Sequence, residues 1–107
     1  MDAERIVGAA VAAFGHGARA FAVAPPAVET LRNQLTPLIS CALRSPDWHE
    51  DWQRERVYVL AYTEALGRRA KVLAADDRRA IILPHDVDGA VTKLRGYMPI
   101  AGRWCPL

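Results

Sequence analysis

The chain has 107 residues, 51% of them apolar and 24% charged, with 14 Lys and Arg set against 12 Asp and Glu. That length makes one domain, the apolar share excludes intrinsic disorder, and a net charge of +2 excludes a strongly basic nucleic-acid wrapper. A chain this short buries only roughly 65% of its unfolded surface, so association with another chain is expected.

Two acids among the first four residues oppose a secretory signal, and the apolar run from Ile6 to Phe14 is too short to span a bilayer. The two cysteines, Cys41 and Cys105, lie far apart and form no CxxC pair. The expectation is a soluble cytoplasmic protein with no membrane contact and no disulfide framework. No internal repeat is visible.

In chain order, residues 2–24 are Ala-rich, with Val7, Ala10, Phe14, Ala18 and Phe21 on one helical face. A break or kink is expected at Gly15-His16-Gly17, and Pro25-Pro26 ends the block. Residues 27–44 form a second helical block. Pro37 lies inside its pattern, either kinking the helix or starting a new one with Thr36 as its cap. Ser45-Pro46-Asp47 is a loop signal.

Residues 48–77 carry the longest uninterrupted helical pattern. Trp52, Val59, Tyr62, Leu66 and Leu73 make one stripe, and Tyr58, Ala61, Ala65 and Val72 run beside it. An apolar face this wide predicts burial on two sides. Ala80-Ile81-Ile82-Leu83 reads as a short extended segment. Pro84 suits the first turn of a further helix, with Asp86 near its positive end and Val87, Ala90, Val91, Leu94 and Met98 on its apolar face. Residues 99–107 cannot form a regular helix, and Trp104 there predicts a tail that docks on its own core or on a partner protein.

Catalysis needs convergent groups in a pocket, and the sequence supplies none. It holds no phosphate-binding glycine loop, no HExxH and no GxSxG. His16, His49 and His85 fall in different blocks. No enzyme activity, cofactor or metal site is expected.

From about residue 36 the order is a shorter helix, a loop, a long helix, a short extended segment and a three-turn helix. Arg79 precedes Asp86 by seven residues, with Ala70 and Leu73 before the pair and Val87 after it. This resembles the histone fold, in which an arginine of the second loop clamps an aspartate at the start of the third helix. A weaker similarity runs to the C-terminal lid of AAA+ ATPases, which normally follows an ATPase core. The histone-fold resemblance implies an all-α chain in three parts: an N-terminal helical extension (1–26), a histone-fold-like domain (27–98) and a C-terminal tail (99–107). It departs from histones at Ala80 and Ile81, where histones usually carry Lys-Thr.

The resemblance implies pairing with a second copy or a homologous chain, with Trp52, Val59, Tyr62, Leu66 and Leu73 at the dimer core. It implies Arg79–Asp86 as a structural clamp. It also brings Arg44 of one chain near Arg78 and Arg79 of the other, a surface suited to DNA phosphates. Two functions follow as expectations. One is a histone-fold dimer binding DNA largely without sequence preference. The other is a histone-fold interaction or scaffold subunit that docks a protein, through its N-terminal helix or Trp104 tail, and binds no DNA.

Overall fold

A computed structural model of the protein describes residues 3–43 and 52–95. The order is α1 (Ala3–Gly17), β1 (Ala22–Val23), α2 (Pro25–Leu43), α3 (Trp52–Asp76), β2 (Ile81–Ile82) and α4 (Pro84–Leu94). The architecture is mostly helical.

The same order, helix then left-handed turn then two-residue strand then helix opening on proline, occurs twice. Ala20 in the first turn and Arg78 in the second have positive φ, 74° and 57°. The two strands pair in parallel, Ala22 opposite Ile81 and Val23 opposite Ile82. Ala22 N–H donates to the Ala80 carbonyl at 3.1 Å, and Ala24 N–H to that of Ile82 at 3.0 Å. The strand at 22–23 lies inside the block expected to be helix. Its alanines and Phe21 keep helical spacing, but the positive-φ turn at Ala20 and the offered edge of Ile81–Ile82 draw the backbone into extended form.

One core holds all four helices. Ile6, Val7, Ala10 and Phe14 of α1 meet Leu31, Leu35 and Ile39 of α2, Val59, Tyr62, Leu66 and Ala70 of α3, and Val87 and Ala90 of α4. Thus α1, expected as an extension, packs in the same core as the residues that follow it. Val59, Tyr62 and Leu66, expected at a dimer core, are buried within the single chain, because α1 supplies the apolar face they need. Leu73 is only partly buried, and the side chain of Trp52 lies outside the described residues.

α1 and α3 meet at backbone distance. A methyl group at Gly17 would strike the Glu64 carbonyl, and one at Gly67 would strike the Phe14 carbonyl. Each helix gives up a side chain where the other's backbone passes, which explains a glycine in mid-helix despite its poor propensity. Of the break or kink expected at Gly15-His16-Gly17, the structure shows a break, with α1 ending at Gly17. Pro37 sits inside α2 with no new helix starting there.

Candidate nucleic-acid interface

The paired turns bring together cations from three elements. Arg19 and Arg78 each stand three residues ahead of paired strand residues, so they occupy matching places at one end of the ladder. Both are exposed. Lys71 reaches from α3 to this end. Its ammonium donates to the Arg19 carbonyl at 2.8 Å and lies 5.2 Å from the centre of the Phe21 ring. The backbone of Arg68 passes close to Gly17, at the end of α1. Its side chain is exposed and pairs with Glu64 at 3.1 Å, and Glu64 also lies 3.8 Å from the His16 ring.

Arg78 owes its place to the way α3 ends. Arg79 N–H bonds back to the Ala74 carbonyl and Arg78 N–H to that of Ala75, each at 2.9 Å. This pair of bonds closes a helix C-terminus around a left-handed residue, usually glycine. Here the residue is Arg78, and the conformation turns its side chain out of the helix line.

Arg79 is in a different situation. Its guanidinium makes a two-pronged contact with Asp86, at 2.8 and 3.0 Å. Nε and Nη2 both donate to Asp77 at 3.1 Å, Nη1 donates to the Ile81 carbonyl at 2.9 Å, and Nη2 stands 3.0 Å from His85 Nε2. A guanidinium has five N–H groups, and these contacts engage them all. Arg79 and Asp86 are thus brought together, and Arg79 keeps no donor for a phosphate. Asp86 is 2% exposed and closes the first turn of α4 by accepting from Leu83 N–H at 2.8 Å. The Arg79 hydrogen bonds hold the Asp86 carboxyl below its ordinary range, against the opposing effect of burial and with help from Leu83 N–H. The same pairing raises Arg79 further. A shallow cleft of about 340 Å³ borders this knot, lined by Leu73, Asp76, Asp77, Arg79, His85, Asp86 and Gly89.

Of the arginines expected to contact DNA, Arg78 is exposed at the paired turns with no side-chain partner among the described residues, Arg79 is locked, and Arg44 lies outside the described residues. The sequence reading overlooked Arg19, Arg68 and Lys71. A signal for the first was present: Arg19 precedes Pro25 by the same six residues that separate Arg78 from Pro84, with an apolar segment between.

Among the described residues no group of His, Cys, Asp and Glu could hold a metal, and no helix is long and apolar enough to cross a membrane. No family model, curated protein or solved structure matches the chain.

Proposed function

We propose that this protein binds the phosphate backbone of duplex DNA, largely without sequence preference, through Arg19, Arg68, Lys71 and Arg78. The observation that carries the reading is the parallel pairing of β1 with β2, which sets two arginine-bearing turns side by side. In the histone fold that the C-terminal half resembles, the paired loops come from two chains. Here both come from one, so the surface needs no second subunit. Arg79 acts as a positioning residue that fixes the bend between α3 and α4.

Each phosphate neutralised releases counterions, so affinity should fall with salt with a slope of about −0.9 per contact. Fluorescence anisotropy of a labelled duplex, titrated across a salt series, should give a slope of about −3 for three to four contacts. The double variant Arg19→Ala/Arg78→Ala should flatten that slope by roughly two. Absence of binding at about 50 mM salt, where the electrostatic contribution is strong, overturns the reading. So does a double variant that binds like the parent.

The second reading is an interaction subunit without DNA binding. It is favoured by the apolar side chains that α3 leaves exposed, Val57, Tyr58 and Val72. Self-association or protein capture together with a flat anisotropy titration decides for it.

A further inference from the structure

The register of the strand pair puts the two turns in correspondence. Ala22 stands opposite Ile81, so Arg19 matches Arg78, Ala20 matches Arg79 and Ala27 matches Asp86. The second turn is fixed by the two-pronged contact of Arg79 with Asp86. The first turn carries alanine at both matching places, so it has no such clamp of its own. Its backbone is nonetheless left-handed at Ala20, with φ of 74°, and Phe21 N–H bonds back to the Ala18 carbonyl at 3.0 Å. A residue with a side chain stays in that region only where its surroundings hold it.

We infer that Lys71 holds the first turn in place, and that it serves the phosphate surface by positioning Arg19 rather than by meeting phosphate itself. Its ammonium donates to the Arg19 carbonyl at 2.8 Å and lies 5.2 Å from the centre of the Phe21 ring. The residues on either side of Ala20 are thus both tied to one cation. A carbonyl oxygen and an aromatic face each attract an ammonium, and a neutral apolar side chain at 71 would satisfy neither. Among the described residues no other side-chain hydrogen bond joins α3 to residues 18–24. Lys71 shares a helix face with Glu64 and Arg68, at spacings of four and three. Glu64 stands by His16, the Arg68 backbone by Gly17 and Lys71 by Arg19, so this face follows the end of α1 into the turn. The two arginines of the surface are therefore placed by different means. Arg79 fixes the second turn from within its own half of the chain, and Lys71 fixes the first from the opposite half.

Holding the turn is independent of the DNA reading, whereas carrying Arg19 to a phosphate rests on it. Lys71 then contributes to that surface through Arg19. The direct contacts are Arg19, Arg68 and Arg78, which keeps the expected salt slope near about −3.

The test has two arms, both on the full chain. Without DNA, amide hydrogen exchange followed by nuclear magnetic resonance reads the turn at Phe21 and the strand ladder at Ala22 and Ala24. In Lys71→Met these amides should exchange severalfold faster than in the parent, with those of α2 and α4 unchanged. With DNA, the salt slope of Lys71→Met should be shallower by about 0.9, the same loss as for Arg19→Ala, and the double variant should lose no more than either. Lys71→Arg, which keeps a donor and a cation, should restore both protection and slope. Phe21→Leu, which keeps the ammonium and removes the ring, should show the same two changes at smaller size, and guards against a Lys71 variant that fails to fold. Unchanged protection in Lys71→Met overturns the inference. So does an additive double variant, with a slope loss of about 1.8, which would make Lys71 a phosphate ligand in its own right. A parent that binds no DNA overturns the DNA reading, and with it the service to phosphate, while the exchange arm still decides whether Lys71 holds the turn.

Discussion

At the scale of single residues, the Arg79–Asp86 knot sets how the C-terminal half responds to acid. Asp86 holds its proton less tightly in the folded chain than in the unfolded one. Its stabilising contribution is therefore fully present above the ordinary carboxylate pKa of about 3.9, and is lost as pH falls through the lower folded value. Urea unfolding of the parent and of Asp86→Asn should show the parent more stable at neutral pH. The gap should close as pH is lowered from about 5 towards 2. A gap independent of pH would mean that the carboxylate charge contributes nothing. Asp86→Ala also leaves the Leu83 N–H without its acceptor, and should cost about 1–3 kcal/mol at neutral pH.

This knot was legible in the sequence through the resemblance to the histone fold, which implies a clamp between Arg79 and Asp86, and the seven-residue separation lets local geometry close it. The place of Arg19 was not. Nothing within 2–24 shows that the turn after α1 will lie beside the turn after α3, since that neighbourhood is created by pairing across most of the chain. Val59, Tyr62 and Leu66 of the α3 stripe, the extended pair at 81–82 and the proline start of α4 were readable because local pattern and tertiary demand agree there, whereas the second buried side expected of α3 is not seen, since Tyr58, Ala61 and Val72 are exposed. At Ala22–Val23 pattern and demand disagree, and strand pairing overrides helical spacing. Pro37 is the converse case. Its local signal marks a possible break, yet α2 continues through it to Leu43.

Among the elements, the α1–α3 contact is the most demanding. Two glycines some fifty positions apart in sequence allow two helix backbones to touch. An alanine at an ordinary exposed helix position would stabilise by up to about 1 kcal/mol relative to glycine. Gly67→Ala should do the reverse, because its methyl group would meet the Phe14 carbonyl rather than a side chain able to move aside. Overpacking of this kind typically costs about 1–3 kcal/mol, and a backbone neighbour places it at the upper end. Thermal unfolding followed by circular dichroism checks the sign directly. A variant with a raised midpoint would show that the two helices are further apart than described here.

For the molecule as a whole, the two helix–strand–helix halves each offer one side of a shared interior. Among the described residues the buried side chains of all four helices form one cluster, with α1 packed on α3 and α2 on α4 across the halves as well as α1 on α2 and α3 on α4 within them. Most helical stability in a folded protein comes from tertiary packing of an apolar face rather than from propensity. Separate peptides covering 1–46 and 47–107 should each show little helix, and should gain it when mixed in equal amounts. Independent helicity of either peptide would show that the halves are separate folding units. The intact chain should unfold in a single transition, with far- and near-ultraviolet ellipticity coincident.

The parallel bond between Ala22 and Ile81 has a consequence during synthesis. The first strand leaves the ribosome about sixty residues before the second, an interval of about 3–12 s at ordinary elongation rates. For most of it α3, complete only at Asp76, is still being made, and the nascent α1 carries Ile6, Val7 and Phe14 without that cover. A chaperone that shields short apolar helices would have its main opportunity on this protein in those seconds, before translation supplies the cover.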